Sequence, residues 1–245
     1  MVHGLGEHLG RYQYLKEWLL QEGYHCYQYD QRGHGLSGGK RGDVVSFHDY
    51  ASDLNLIYEM AKSDYHDLPI YVFGHSMGSL VVLLNLILYT NQWQGAILSG
   101  VPLEITRPIP KWEEFLATKA ARVVPWFPIS SDIDSAYLSH DTAVTSAYLT
   151  DPLVNHRVTV RWAVAFLTAI QEVKARLAEI TENLLILHGE KDQISKVEGA
   201  RLLAETLGSQ QTQLIVYPGL YHEIHNEREA DRNREFQDIG HWLTR

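Results

Sequence analysis

A chain of 245 residues, 45% hydrophobic and 21% charged, has the size and composition of one globular α/β domain and excludes a disordered chain. Its formal net charge of −9 opposes binding to phosphate backbones and simple electrostatic docking on anionic lipid, so nucleic acid is not expected as a partner and only apolar contact with lipid stays open. The one cysteine, Cys26, leaves no partner for an internal disulfide and reads as a small hydrophobe.

The chain opens MVHGLGEH, without the basic flank or apolar run of a secretory signal, and its most apolar stretch, Leu80–Leu88, is too short to span a bilayer. The expectation is a cytoplasmic protein, at most peripheral to a membrane. The glycines of His3-Gly4-Leu5-Gly6-Glu7-His8 permit close backbone approach. Leu15, Trp18 and Leu19 then share one helix face. Tyr24–Tyr29 is an apolar run that predicts the first strand. The glycine-rich segment Asp30–Gly39 lacks both the G-x-G-x-x-G opening and the Lys-Ser/Thr ending of a phosphate cradle, and is expected to be a tight structural loop beside the site. Tyr50, Leu54, Ile57, Tyr58 and Ala61 predict a second helix.

Ile70–Phe73 predicts a strand that runs into Gly74-His75-Ser76-Met77-Gly78, followed by an apolar helix over Leu80–Tyr89. Strand, G-x-S-x-G and helix in that order form a nucleophile elbow. The sharp turn strains the serine backbone and lifts its hydroxyl above the sheet, and the Met77 amide is aimed at a developing oxyanion. The second oxyanion donor is expected from the loop after an early strand, which selects the Leu5 amide.

Gly95–Ser99 predicts the next strand. The segment 101–179 breaks the alternation, with five prolines between Pro102 and Pro128 and a later helical stretch whose apolar face carries Trp162, Ala165, Phe166 and Ala169. A connection of about 80 residues far exceeds ordinary crossovers, so 101–179 is expected to be a cap inserted into a core of 1–100 and 180–245. The apolar face of the cap suits an acyl chain.

Leu184–His188 and Gln213–Tyr217 predict the last two strands. Val197, Ala200, Ala204 and Leu207 mark the helix between them, and Phe236, Ile239 and Leu243 mark a terminal helix. Thirteen histidines make the presence of a base uninformative, so position decides. His222 lies on the loop just past the last strand, where an imidazole reaches over the sheet edge to a serine, with His225 and then His241 as alternatives. A carboxylate is needed to fix the imidazole tautomer. Asp192 follows the penultimate strand, with Glu190 as the alternative. The order Ser76, Asp192, His222 is that of α/β-hydrolases. His222-Glu223-Ile224-His225 falls short of H-E-x-x-H, since the last position of that pattern is Asn226, so no metal is expected.

HGLGEH, DQRGHGLS, GHSMG, HGEKD and GLYHEIHNE, with Asp151-Pro152-Leu153-Val154 in the insertion, together resemble the monoacylglycerol lipase family within the serine aminopeptidase-like α/β-hydrolases. The resemblance covers nearly the whole chain. It implies an α/β-hydrolase fold, a mostly parallel sheet flanked by helices with a mobile helical cap over an acyl channel. It also supports Ser76, Asp192 and His222 as triad and Leu5 and Met77 as oxyanion donors, with no cofactor. Two departures stand out. Ser79 occupies a position where the family usually has glycine. The family fold also places about two strands and most of a third before the HG motif, which here begins at His3, so the N-terminal strands are missing from this sequence: either upstream residues exist in the natural protein, or the chain compensates for about 1–3 kcal/mol per buried unpaired backbone group.

The expected reaction is hydrolysis of a small apolar ester, such as a monoacylglycerol or lysophospholipid, through an acyl-enzyme on Ser76. The cap would make transient contact with a membrane or micelle. An aminopeptidase or acyltransferase would use the same triad, and Glu104, Glu113 and Glu114 are the carboxylates open to a substrate amine. The competing reading from another class is a ligand-binding scaffold without turnover.

Overall fold

The computed structural model describes residues 1–89, 93–106, 110–207 and 212–244. Of the five prolines between Pro102 and Pro128, Pro108 lies outside the described residues.

The elements in chain order are α1 Gln13–Gln21, α2 Phe47–Asp64, β1 Tyr71–His75, α3 Met77–Leu88, β2 Gly95–Ser99, α4 Lys111–Val123, β3 Pro128–Ser130, α5 Thr142–Thr150, β4 Arg157–Thr159, α6 Val160–Arg176, β5 Leu184–Gly189, α7 Val197–Thr206, β6 Gln213–Tyr217 and α8 Glu229–Leu243, joined by short 3-10 turns. Local chemistry sets several of the boundaries. Ser46 Oγ accepts the His48 N–H at the start of α2, where Asp49 complements the helix dipole. Thr159 Oγ1 accepts the Trp162 N–H at the start of α6, and Lys174 and Arg176 sit in its last turn.

β1, β2, β5 and β6 form one sheet in the order β1-β2-β5-β6, parallel throughout. β2 and β5 are buried along their whole length, as their unbroken apolar sequences require in a sheet covered on both faces. Side chains alternate between the faces. Val72, Ala96, Leu98, Leu184 and Ile186 enter the larger core, shared with α2, α3, α6 and α7. Phe73, Ile97, Leu185 and Leu187 enter the second, shared with α1 and α8. Phe236, Ile239 and Leu243 are buried in that second core, on the face their spacing predicts.

One predicted strand does not form. Tyr24–Tyr29 is irregular backbone. Met1 and Val2 lie between this segment and β1: the Met1 amine donates to Tyr27 O at 2.8 Å, Val2 N donates to Phe73 O at 2.8 Å and His75 N donates to Val2 O at 3.1 Å. Val2 thus makes a single parallel bridge to Gly74. Below it lies an apolar groove of about 320 Å³, lined by Tyr24, Cys26, Tyr58, Tyr71 and Trp93 among others. An apolar run has the composition of a strand, but it becomes one only when a neighbour supplies the ladder hydrogen bonds.

Between β2 and β5, the segment 101–179 carries α4, the antiparallel pair β3–β4, α5 and α6. α6 packs against α2 and α3. Its Trp162 is buried in the main core, donates its indole N–H to the Tyr50 hydroxyl at 3.2 Å and lies 5.5 Å from the Phe47 ring. The face of Trp162 and Ala169 is therefore covered by the core. Exposed apolar side chains of the 101–179 segment instead include Trp112, Phe115, Leu116 and Val123 on α4, with Trp126 and Phe127 just beyond it.

Candidate active site

The functional candidates collect at the C-terminal ends of the parallel strands. β1 ends in His75, and Ser76 follows with φ 51° and ψ −120°, a conformation that costs a non-glycine residue about 1–3 kcal/mol. The turn is held by Ser76 N donating to Ser99 O at the end of β2, at 2.8 Å. A side chain at position 74 would meet Gly78 O at 2.6 Å, and one at 78 would meet Val2 O at 2.2 Å, so both flanking positions require glycine. Ser79 is accommodated by donating its hydroxyl to Ser76 O at 2.7 Å. Met77, the first residue of α3, is buried, while Ser76 keeps partial exposure.

Asp192 follows β5 and His222 follows β6. His222 Nδ1 and Asp192 Oδ2 are 2.6 Å apart. The other carboxylate oxygen accepts the amides of Ile194 at 2.8 Å and Ser195 at 2.9 Å, which fixes the Asp192 side chain in place. Burial pushes the Asp192 carboxyl upward, but the His222 charge and hydrogen bond, His188 and the Ser195 amide outweigh it and hold it below the ordinary aspartate value. Burial likewise pulls the His222 imidazole down, but Asp192 and then Glu223 and Glu7 leave it above the usual histidine value. His222 packs beside the elbow, against His75 and Gly100. Its ring is 4.7 Å from that of His75, and a side chain at Gly100, which follows Ser99, would meet His222 Cε1 at 2.9 Å.

The alternatives are employed elsewhere. Glu190 accepts the Gly219 N–H at 3.0 Å on an exposed loop. His225 is buried, stacks on Tyr12 at 4.6 Å and is pushed down to about 4 by desolvation, which keeps it neutral. His241 is exposed on α8.

The opening loop packs over the elbow. A side chain at Gly4 would lie 3.3 Å from Ser76 Cβ, which places the Gly4–Leu5 peptide beside the serine. Asn155 N donates to Gly6 O at 2.6 Å, and His8 Nε2 lies 2.8 Å from Asp151 Oδ2, so the 101–179 segment is tied to this loop. The His222 loop is tied to the same segment, with His222 N donating to Tyr137 O at 3.3 Å and Glu223 N to Leu138 O at 2.8 Å.

Sequence reasoning missed a buried ion network that joins the two loops. Arg11 donates to Glu7 at 2.6 Å and, with both terminal nitrogens, to Glu223 at 2.7 Å each. Glu7 also accepts the Gly4 N–H at 2.7 Å and the Tyr12 hydroxyl at 2.5 Å. Glu7 and Glu223 both stand in quoted motifs, HGLGEH and GLYHEIHNE, but 212 residues separate Arg11 from Glu223 and no local spacing announces the pair.

A parallel sheet with helices on both faces, a strained serine after β1 and a carboxylate–imidazole pair after the last two strands define an α/β-hydrolase, here a serine hydrolase of carboxylic esters. The family model for serine aminopeptidase, S33, matches residues 1–229. The monoacylglycerol lipase of Mycolicibacterium smegmatis is 33% identical over 245 residues, covering 100% of this chain and 86% of the relative. Human monoglyceride lipase is 32% identical over 244 residues, covering 99% and 80%. The crystal structure of Paleococcus ferrophilus monoacylglycerol lipase superposes with a TM-score of 0.90 at 30% identity, covering 99% of this chain and 91% of that one. The chain belongs to the serine aminopeptidase S33 family of α/β-hydrolases. Among its described residues no helix is long and apolar enough to cross a membrane.

Proposed function

We propose that the chain hydrolyses monoacylglycerols through an acyl-enzyme on Ser76. The observation that carries this reading is the 2.6 Å pairing of Asp192 with His222, whose ring lies 4.7 Å from that of His75, the residue before a serine held at φ 51°. His222 takes the Ser76 proton as the hydroxyl attacks the ester carbonyl. Asp192 holds the imidazole tautomer and stabilises its charged form. The Met77 and Leu5 amides stabilise the oxyanion. The imidazolium then protonates the departing glycerol, and the same histidine activates water to release the fatty acid.

Three features support a lipid ester over a peptide. The curated relatives above carry the names monoacylglycerol and monoglyceride lipase. Trp112, Phe115, Leu116, Trp126 and Phe127 form an exposed apolar edge on the 101–179 segment, which acts as the cap and touches membrane or micelle while substrate passes. Of the carboxylates open to a substrate amine, Glu104 is already paired with Lys174.

The test is exposure to a fluorophosphonate followed by mass spectrometry, beside hydrolysis rates for a monoacylglycerol series and for amino-acid amides. One adduct on Ser76, absent in Ser76→Ala, with ester turnover well above amide turnover, is expected. An unlabelled folded chain overturns the mechanism, and faster amide hydrolysis overturns the substrate class.

A further inference from the structure

His3 is fully buried and takes no part in the proton transfers described above, yet both of its ring nitrogens are engaged. Gln31 N donates to Nε2 at 3.0 Å, so Nε2 carries the lone pair. The proton of the neutral ring therefore sits on Nδ1, which is 2.8 Å from Gly4 O and donates to it. Burial pulls this imidazole down to about 4, which keeps the ring in the neutral form that the two bonds demand. The backbone of His3 is fixed as well, since the Gln31 side-chain amide donates to His3 O at 2.7 Å.

Gly4 O belongs to the same peptide unit as the Leu5 N–H. In a planar trans peptide the carbonyl and the N–H point to opposite sides. A carbonyl drawn toward His3 and the Gln31 loop therefore turns the Leu5 N–H the other way. Gly4 itself packs against Ser76, and its own N–H is held by Glu7 at 2.7 Å. The unit is thus gripped at its carbonyl by His3 and at the preceding amide by Glu7.

We propose that His3 is a positioning residue for the oxyanion hole, its Nδ1–H holding the Gly4 carbonyl so that the Leu5 amide stays aimed at the acyl oxygen. The inference rests on the reading of Ser76 as nucleophile and Leu5 as oxyanion donor. It gives the Gln31 loop a role in catalysis that its glycine-rich sequence does not suggest: the Gln31 amide selects the tautomer that makes His3 a donor toward Gly4. Without that grip the peptide is free to rotate, which withdraws the N–H and presents a carbonyl lone pair to the developing negative charge.

Three substitutions separate this role from simple packing. Asparagine sets an N–H₂ where histidine has Nδ1 and so keeps the donor to Gly4. Glutamine places its carbonyl near the Nε2 position and so keeps only the acceptor for Gln31. His3→Ala is expected to lower kcat by about 10–100-fold with KM changed by less than about twofold, less than the loss of a whole oxyanion donor. His3→Asn is expected to recover most of that loss, and His3→Gln little of it, whatever the order of their melting temperatures. Affinity for a trifluoromethyl ketone, which forms a tetrahedral oxyanion on the serine, should fall in step with kcat/KM. Inhibition by free fatty acid should not change.

A His3→Gln variant as active as His3→Asn overturns the proposal, and so does a His3→Ala variant that keeps its kcat. Should His3→Ala not fold, the Asn and Gln pair decides by itself. Fluorophosphonate labelling of the wild type is read separately. Failure of the underlying reading appears as an unlabelled wild type, and failure of this inference as labelled variants with unchanged turnover.

Discussion

Arg11→Ala probes the buried charge beside the site. The Arg11 side chain is 8% exposed and its two partners, Glu7 and Glu223, are 3% and 2% exposed. Deleting the guanidinium leaves two carboxylates facing each other out of water. At a separation of about 5 Å and an effective dielectric of about 20, their repulsion is about 3 kcal/mol. Removal of one partner from a buried pair costs about 3–5 kcal/mol, in line with that figure. For a chain of this size the melting temperature should drop by about 6–20 °C. Glu223 adds a pH signature. Burial alone would raise its carboxyl, but the Arg11 charge and hydrogen bonds, with His225 and Asn226, hold it below its ordinary 4.5. A depressed carboxyl contributes stability that is present above its unfolded value and lost as pH falls through the folded one. In Arg11→Ala that contribution is gone and one carboxylate can take up a proton, so the gap to wild type should narrow as pH falls from about 8 toward 5. Urea unfolding followed by the fluorescence of the six tryptophans measures both quantities. The triple variant Glu7→Gln, Arg11→Met, Glu223→Gln carries no charge and should regain most of the stability. A loss below about 1 kcal/mol in Arg11→Ala, the size of an exposed pair, or a gap that does not change with pH, refutes this account.

Other outcomes follow from the same geometry. Asp192→Asn should keep the fold but lower kcat by about 10³–10⁴-fold, because the amide no longer selects the Nδ1–H tautomer of His222; steady-state kinetics on a soluble ester decides. His222 must be neutral to act, and Asp192 raises it above 6.5, so kcat/KM should fall as pH drops through a midpoint above that value. Asp192→Asn should move the midpoint downward. Ser76→Gly should be about 1–2 kcal/mol more stable than Ser76→Ala in equilibrium unfolding, since only glycine adopts φ 51° without strain. Glu235 is fully buried with no hydrogen-bond partner among the described residues, and burial and then Asp238 raise its carboxyl well above 4.5. The native state then holds a proton the unfolded chain has released, so stability falls as pH rises above about 4.5. Glu235→Gln should therefore gain stability over wild type, more at about pH 8 than at about pH 5, in paired thermal melts.

Much of the site was legible because its signals are local. G-x-S-x-G between an apolar strand and an apolar helix is a steric statement, and positions 74, 76 and 78 have the backbone that statement requires. Asp192 and His222 were selected from their places after two apolar runs; those runs are β5 and β6, and the two side chains lie 2.6 Å apart. Tyr24–Tyr29 shows the limit, since a strand needs a partner and its own composition supplies none. Trp162 shows another. Helical spacing identified its apolar face, but whether that face meets a ligand or a neighbouring helix depends on Phe47 and Tyr50, more than 100 positions away.

From the sequence alone came the four strands of the main sheet with most of their flanking helices, the strained serine turn and the chain order of the three polar side chains, because periodicity and steric need are written residue by residue. Only the tertiary structure decided which carboxylates surround Arg11, which tautomer His3 adopts and which apolar faces stay uncovered. Those depend on hydrogen bonds and burial between segments far apart in the chain, and such contacts leave no periodic trace in either segment.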